Sequence, residues 1–332
     1  MAKAYPVLRL DMGQFSHPGR RRSNNEDWLG TFQPEDPERL AAKGSLFLVA
    51  DGMGGHESGE LASRRAVDLI IRAYMDDPTP DVPTSLRKAI EMANAVLHAG
   101  AADTASEAVL RRQGGRHWGT TLVAAVVRHD ELWIANVGDS RAYLIRDGKL
   151  RQLSQDHSWA SALGEPPSKD WIGRNLITRA LGLKPEVEVD LFPPMKLQTR
   201  DVILLCSDGL TNPLSDEEIR DIAFHAPRPS QEAAEALIGA ANDRGGPDNV
   251  SVILVRVVGK NVTLGWQTPW ELLAALIRPG TWQLTVESLL QTILGGEQGF
   301  RSPLFIVVVL LIVLAVVALG FIVGLVLFRS GG

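Results

Sequence analysis

The chain has 332 residues, a formal net charge of −5 and a single cysteine, Cys206. That length suits one large domain or two ordinary ones, and the mild negative charge gives no general electrostatic reason to bind nucleic acid. One cysteine excludes an intramolecular disulfide framework and, with no signal peptide over residues 1–20, predicts a reducing cytoplasm.

Residues 7–16 and 28–33 read as two strands, separated by the charged loop Gly19-Arg20-Arg21-Arg22-Ser23-Asn24-Asn25-Glu26-Asp27. Residues 45–55, SLFLVADGMGG, form an apolar run that ends on an aspartate and then glycines. This predicts a buried strand with Asp51 at its tip, after which Gly52, Gly54 and Gly55 turn the backbone and bring bare carbonyls close. Helical spacing follows over residues 59–75, a proline-rich break over 76–83, and a second helix over 85–102. A β-rich block comes next. Residues 120–128 and 131–137 make one hairpin, and 141–146 and 149–153 make another across Asp147-Gly148.

Residues 158–174 have no clear period and read as a surface flap. Residues 187–192 and 201–207 are expected strands, and residues 215–225 and 231–244 expected helices. Ser215-Asp216-Glu217-Glu218 has the form of a capping box. Residues 250–258 close the block as an apolar strand. Cys206 lies within an apolar run and reads as a small buried hydrophobe. Short strands in hairpins with helix pairs between them predict stacked antiparallel sheets covered by helices, not a βαβ series.

The C-terminal part differs in composition. Residues 263–299 carry Trp266, Trp270 and Trp282 among leucines, which fits an interfacial segment or a small helical spacer. Residues 304–328 are 25 in a row without a charge, flanked by Arg301 and Arg329. As a helix they would extend about 37 Å, enough to cross a hydrocarbon core of about 30 Å. The sequence therefore predicts one C-terminal transmembrane helix with the preceding domain in the cytoplasm. Gly320 and Gly324 within it form a small-xxx-small pattern that would permit a weak dimer.

Three apolar strands end in an acid beside a small or polar turn: Asp51-Gly52, Gly138-Asp139 and Ser207-Asp208-Gly209. A fourth acid, Asp248, precedes the last strand in Gly246-Pro247-Asp248-Asn249. Each alone is an ordinary turn. Together they suggest carboxylates gathered at one end of the sheets. Two carboxylates about 4 Å apart repel by roughly 4 kcal/mol at an effective dielectric near 20, so such a gathering calls for a cation. All-oxygen donors point to Mg²⁺ or Mn²⁺ rather than Zn²⁺. Two such ions can share a bridging hydroxide that attacks phosphorus in line. Arg22 offers a planar fork for phosphate oxygens, and His56 a proton for the leaving alkoxide.

The blocks Arg22-Ser-Asn-Asn-Glu26-Asp27, Asp51-Gly-Met-Gly-Gly-His56, Gly119-Thr-Thr121, Val137-Gly-Asp139-Ser-Arg141, Gln155-Asp-His157, Leu176-Ile-Thr-Arg-Ala-Leu-Gly182, Ser207-Asp208-Gly209 and Gly246-Pro-Asp248-Asn249 occur in that order. They resemble the signatures of the metal-dependent serine/threonine protein phosphatases of type 2C, in their bacterial branch. The resemblance covers about residues 5–258. It implies an α+β fold, a β-sandwich of two antiparallel sheets flanked by helix pairs, with the C-terminal transmembrane helix added here. It implies that Asp51 bridges two metals, that the Gly52 carbonyl joins one of them, and that Asp208 and Asp248 complete the other. Asp139 with Asp208 matches the site of a third, weaker metal. Glu26 and Asp27 would act directly or through metal-bound water, Arg22 would bind phosphate, and Asn249 would orient Asp248.

The expected organisation is a catalytic domain over residues 1–259, a tryptophan-bearing juxtamembrane linker over 260–302, the membrane helix over 303–329 and a tail over 330–332. The expected activity is removal of phosphate from phosphoserine and phosphothreonine in proteins, against a Ser/Thr kinase of the same cell. Two other readings stay open on the sequence: a catalytically silent module of the same fold that binds phosphorylated partners, and a membrane-tethered scaffold.

Overall fold

The computed structural model describes residues 6–54, 57–100, 118–158, 177–224 and 229–262. In chain order these form β1 (Pro6–His17), β2 (Asp27–Phe32), α1 (Pro37–Lys43), β3 (Ser45–Met53), α2 (Glu57–Asp76), α3 (Val82–Gly100), β4 (Gly119–Thr120), β5 (Leu122–Arg128) and β6 (Glu131–Val137). Then come β7 (Arg141–Arg146), β8 (Lys149–Gln152), β9 (Asp190–Lys196), β10 (Val202–Cys206), α4 (Asp208–Thr211), α5 (Asp216–Phe224), α6 (Ser230–Asp243) and β11 (Val250–Val262). One sheet runs β1-β11-β10-β7-β8 and the other β2-β3-β5-β6-β9, with β4 paired on β3. Every pairing is antiparallel.

The period-2 alternation of strand side chains sorts the core into three apolar layers. On β3, Phe47 and Val49 face the other sheet and meet Ile203 and Leu205 of β10 and Ile253 and Val255 of β11. Leu46, Leu48 and Ala50 face the opposite way, onto Ile70 and Tyr74 of α2 and Leu86 and Ile90 of α3. On β10, Leu204 and Cys206 turn outward onto Leu237 and Ile238 of α6. The result is helix, sheet, sheet, helix. Leu48 and Ile253 are fully buried, each such burial being worth about 1.5–3 kcal/mol. These layers hold the strand ends rigidly enough to carry a site.

Several elements depart from expectation. Helix α1 is absent from the sequence reading because seven residues are too few to show a period. It is set instead by its ends: the Arg39 N–H donates to the Asp36 carboxylate at 2.9 Å, Pro37 opens the helix, and Gly44 at φ 74° ends it. Helix α3 starts at Val82, earlier than expected, because Pro83 sits in the first turn where its missing N–H costs nothing. Strand β9 is displaced toward the C-terminus and contains Pro193-Pro194, which an edge strand tolerates. The glycine turn expected at Gly52 is further strand: β3 continues to Met53, with Gly52 opposite Thr120. Strand β11 runs on to Val262.

The capping box at Ser215 is present in both directions, with the Ser215 N–H donating to Glu218 at 3.0 Å and the Glu218 N–H to the Ser215 hydroxyl at 3.4 Å. Cys206 is a free, buried thiol whose pKa burial pushes up to about 12. The first compact unit spans Met1–Leu264. Beyond Ser158, the expected flap lies outside the described residues, as do the tryptophan-bearing segment, residues 304–328 and the Gly320–Gly324 pair. Among the described residues no helix is long and apolar enough to cross a membrane.

Candidate active site

The antiparallel registers bring five chain segments to one end of the sandwich. Asp27, the first residue of β2, lies opposite Asp51 in β3. Val49 pairs with Val123 and Leu122 with Val137, so the Gly138-Asp139 turn after β6 emerges at the same end as Asp51. In the other sheet Cys206 pairs with Val252, which sets Ser207-Asp208 beside Asp248-Asn249. The sheets are stitched here by Ser207: its hydroxyl donates to Asp27 Oδ2 at 2.8 Å and accepts the Ser251 N–H at 3.0 Å.

Backbone groups around the acids are held individually. The Asp51 N–H donates to Thr121 Oγ1 at 3.0 Å, the Thr120 hydroxyl donates to the Asp51 carbonyl at 2.9 Å, and Thr121 Oγ1 lies 2.7 Å from Ser140 Oγ. The Gly52 N–H donates to the Glu26 carbonyl at 3.1 Å. A side chain at position 52 would drive into the Gly59 and Glu26 carbonyls, so glycine is required for this close approach. Asn249 organises the opposite loop. Its Oδ1 accepts the Glu26 N–H at 2.9 Å, and its Nδ2 donates to the Pro18 and Asn24 carbonyls at 3.0 and 2.8 Å. Its own N–H donates to Asp248 Oδ1 at 2.9 Å.

The electrostatics are those of an acid cluster short of positive charge. Burial pushes Asp27 up to about 7, against hydrogen bonds from Ser251 and Ser207 and with the charges of Asp208 and Asp248 adding to it. Asp139 is likewise pushed to about 7, by burial and then by Asp208 and Asp156. Asp51 is held well above the ordinary carboxylate range by burial and by Asp27, Asp208, Asp139 and Asp248. Asp208 is raised by burial and by Asp248, despite a 3.0 Å hydrogen bond from Asn212. Arg22 answers part of the charge. Its Nη2 lies 2.9 Å from Asp248 Oδ2, and its pKa is raised by that hydrogen bond, by the Asp248 charge, and by Glu26 and Asp51.

Two carboxylate oxygens of this cluster, Asp27 Oδ1 and Asp139 Oδ1, are buried with no hydrogen-bond partner, a costly state for a polar atom. Oxygen donors with unmet acceptor capacity suit a hard divalent cation. Among the described residues no three or more His, Cys, Asp or Glu side chains stand closed around a point that could hold a metal ion. Asp248 Oδ2 accepts from Arg22 at 2.9 Å and Asp208 Oδ2 from Asn212 at 3.0 Å. His56 and Gly55 lie outside the described residues.

Sequence reasoning gave no role to His157. Buried after β8, it accepts the Gly138 N–H on Nδ1 at 3.0 Å, and its own N–H donates to the Gly138 carbonyl at 2.9 Å. With Nδ1 accepting, Nε2 carries the proton and donates to Asp190 at 3.1 Å. Asp190 is fixed in turn by Arg179 at 2.6 Å. Gly138, at φ 112°, and with it Asp139, is thus held from behind by a chain of three side chains. Thr121, Ser140 and Ser207 were also without assigned roles, because a lone hydroxyl has no spacing signature.

Residues 38–241 match the profile of the family described as Protein phosphatase 2C. The serine/threonine phosphatase stp of Listeria welshimeri is 41% identical over 249 residues, covering 71% of this chain and 92% of its own. Among solved structures, Stp1 from Staphylococcus aureus is 30% identical with a TM-score of 0.66, covering 78% of this chain and 98% of that one. The catalytic domain of the phosphatase PstP in complex with two manganese ions is 32% identical with a TM-score of 0.61, covering 76% of this chain and all of that one. The order of motifs, the sandwich and the acid-lined rim agree with these matches: the chain belongs to the protein phosphatase 2C family and is a protein serine/threonine phosphatase.

Proposed function

We propose that this phosphatase hydrolyses phosphoserine and phosphothreonine in proteins at a centre of two Mn²⁺ or Mg²⁺ ions, with room for a third, weaker one. In this reading Asp51, the Gly52 carbonyl, Asp208 and Asp248 are the ligands, and Asp139 with Asp208 serves the third ion. Glu26 and Asp27 act directly or through metal-bound water, and Asn249 orients Asp248. One observation carries it: acids from separate strand ends raise one another's pKa values while Asp27 Oδ1 and Asp139 Oδ1 stay buried and unpartnered. Bound ions of this kind supply a nucleophile from water at neutral pH and neutralise phosphoryl oxygens.

The chain's own residues do the rest. Arg22 grips phosphoryl oxygens with its planar fork. The Ser207, Thr121 and Asn249 hydrogen bonds hold the acids so that little reorganisation accompanies reaction. His56 is the proposed proton donor to the serine or threonine alkoxide.

The catalytic domain is taken as residues 1–259, followed by a juxtamembrane linker to 302 and a membrane helix over 303–329. Membrane anchoring rests on the 25 uncharged residues 304–328. With the domain in the cytoplasm, the enzyme would oppose a Ser/Thr kinase and reach its phosphoproteins from a fixed position. Hydrolysis of p-nitrophenyl phosphate by the full-length chain tests the chemistry. Activity that needs Mn²⁺, stops with chelator and falls at least about a hundredfold in Asp208→Ala supports it. Activity unchanged by chelator or by that substitution contradicts it.

A further inference from the structure

We propose that Arg22 is the counter-ion of Asp248 in the metal-free protein, so that metal loading and the release of Arg22 toward phosphate form one coupled event. This rests on the reading of Asp248 as a metal ligand. Each Asp248 oxygen already accepts one hydrogen bond: Oδ1 from the Asn249 N–H at 2.9 Å and Oδ2 from Arg22 at 2.9 Å. A cation on Oδ2 would stand beside the guanidinium's like charge and drive it off, and a guanidinium bonded to Asp248 cannot present its whole fork to a phosphoryl group. Arg22 has reason to sit there, since Glu26 and Asp51 also draw it toward the cluster.

The pair is built to exchange. Its side chains are 56% and 35% exposed, and exposed ion pairs are weak. The loop need not move for the side chain to swing, because the Arg20 N–H donates to the Gly246 carbonyl at 2.8 Å and the Arg20 side chain pairs with Asp243 at 3.2 Å. Linkage makes the coupling reciprocal. A cation on Asp248 frees Arg22 for phosphate, and a phosphate on Arg22 frees Asp248 for the cation. An enzyme so arranged grips its substrate well only once its ions are in place.

The test measures Mn²⁺ binding itself, by electron paramagnetic resonance of free Mn²⁺ during titration of the full-length chain in detergent. Arg22→Gln is compared with Arg21→Gln, which removes the same charge from the neighbouring, exposed position. Arg22→Gln is expected to bind Mn²⁺ about twofold to fivefold more tightly than wild type, the range an exposed ion pair is worth, and Arg21→Gln clearly less so. Added inorganic phosphate is expected to tighten Mn²⁺ binding in wild type more than in Arg22→Gln. Equal shifts in the two variants mean that only the general field matters and overturn the proposal, as does a phosphate effect that survives Arg22→Gln intact. If wild type binds no Mn²⁺ that Asp208→Ala abolishes, the metal-site reading fails and this proposal fails with it.

Discussion

Asp27 and Asp51 face each other across neighbouring strands, where like charges are least welcome. Asp27 and Asp139 hold their protons up to about pH 7, whereas an ordinary aspartate releases its proton near 3.8. Between those values the folded chain binds more protons than the unfolded one, so stability falls as pH rises through that window and levels off above it. With metal removed by chelator, the unfolding midpoint is therefore expected to drop between about pH 4.5 and pH 7.5. Asp27→Asn removes one of the contributions, to which Asp51 and Asp208 also add, and should flatten the drop. A midpoint that rises over this window, or a slope unchanged in Asp27→Asn, would contradict the burial of these acids. Asp51, Asp208 and Asp248 were legible in the sequence because each follows or precedes an apolar run at a glycine-rich turn. Arg22 was legible by type, but its contact with Asp248 was not, since a sequence separation of 226 hides it.

The elements divide into those that make the fold and those that aim the site. Helix α5 belongs to the first kind: Ser215→Ala removes its capping box and should cost about 1 kcal/mol in urea unfolding with activity per folded molecule unchanged. The turn between β6 and β7 belongs to the second. His157→Ala leaves the buried Gly138 N–H without its acceptor and Asp190 with Arg179 alone, at a cost of about 1–3 kcal/mol, and lets the Asp139 turn relax. Both stability and phosphatase activity should fall, and activity at wild-type level would remove His157 from the positioning role. The sandwich could be read from the sequence because hairpins and alternating apolar positions are local signals. Helix α1, the displaced β9 and the continuation of β3 past Asp51 could not. Their causes are a cap, an edge position and a pairing with Thr120, all set by tertiary neighbours.

For the molecule as a whole, two parts of the proposal separate cleanly. If residues 304–328 anchor the chain, deleting residues 303–332 should move it from the carbonate-resistant membrane fraction to the soluble one; a full-length chain already soluble in cells would rule the anchor out. If Gly320 and Gly324 bring two such helices together, Gly320→Ile should abolish crosslinking in the membrane, and unchanged crosslinking would remove the dimer. Neither outcome bears on the acids, which gather at one end of the sandwich through registers internal to the first compact unit. The decisive measurement for them is anomalous diffraction at the manganese edge from crystals grown with Mn²⁺. Two strong peaks bounded by the carboxylates of Asp51, Asp208 and Asp248 are expected, with Arg22 turned away from Asp248. A map with no manganese between those three aspartates would contradict the metal centre on which the proposed chemistry stands.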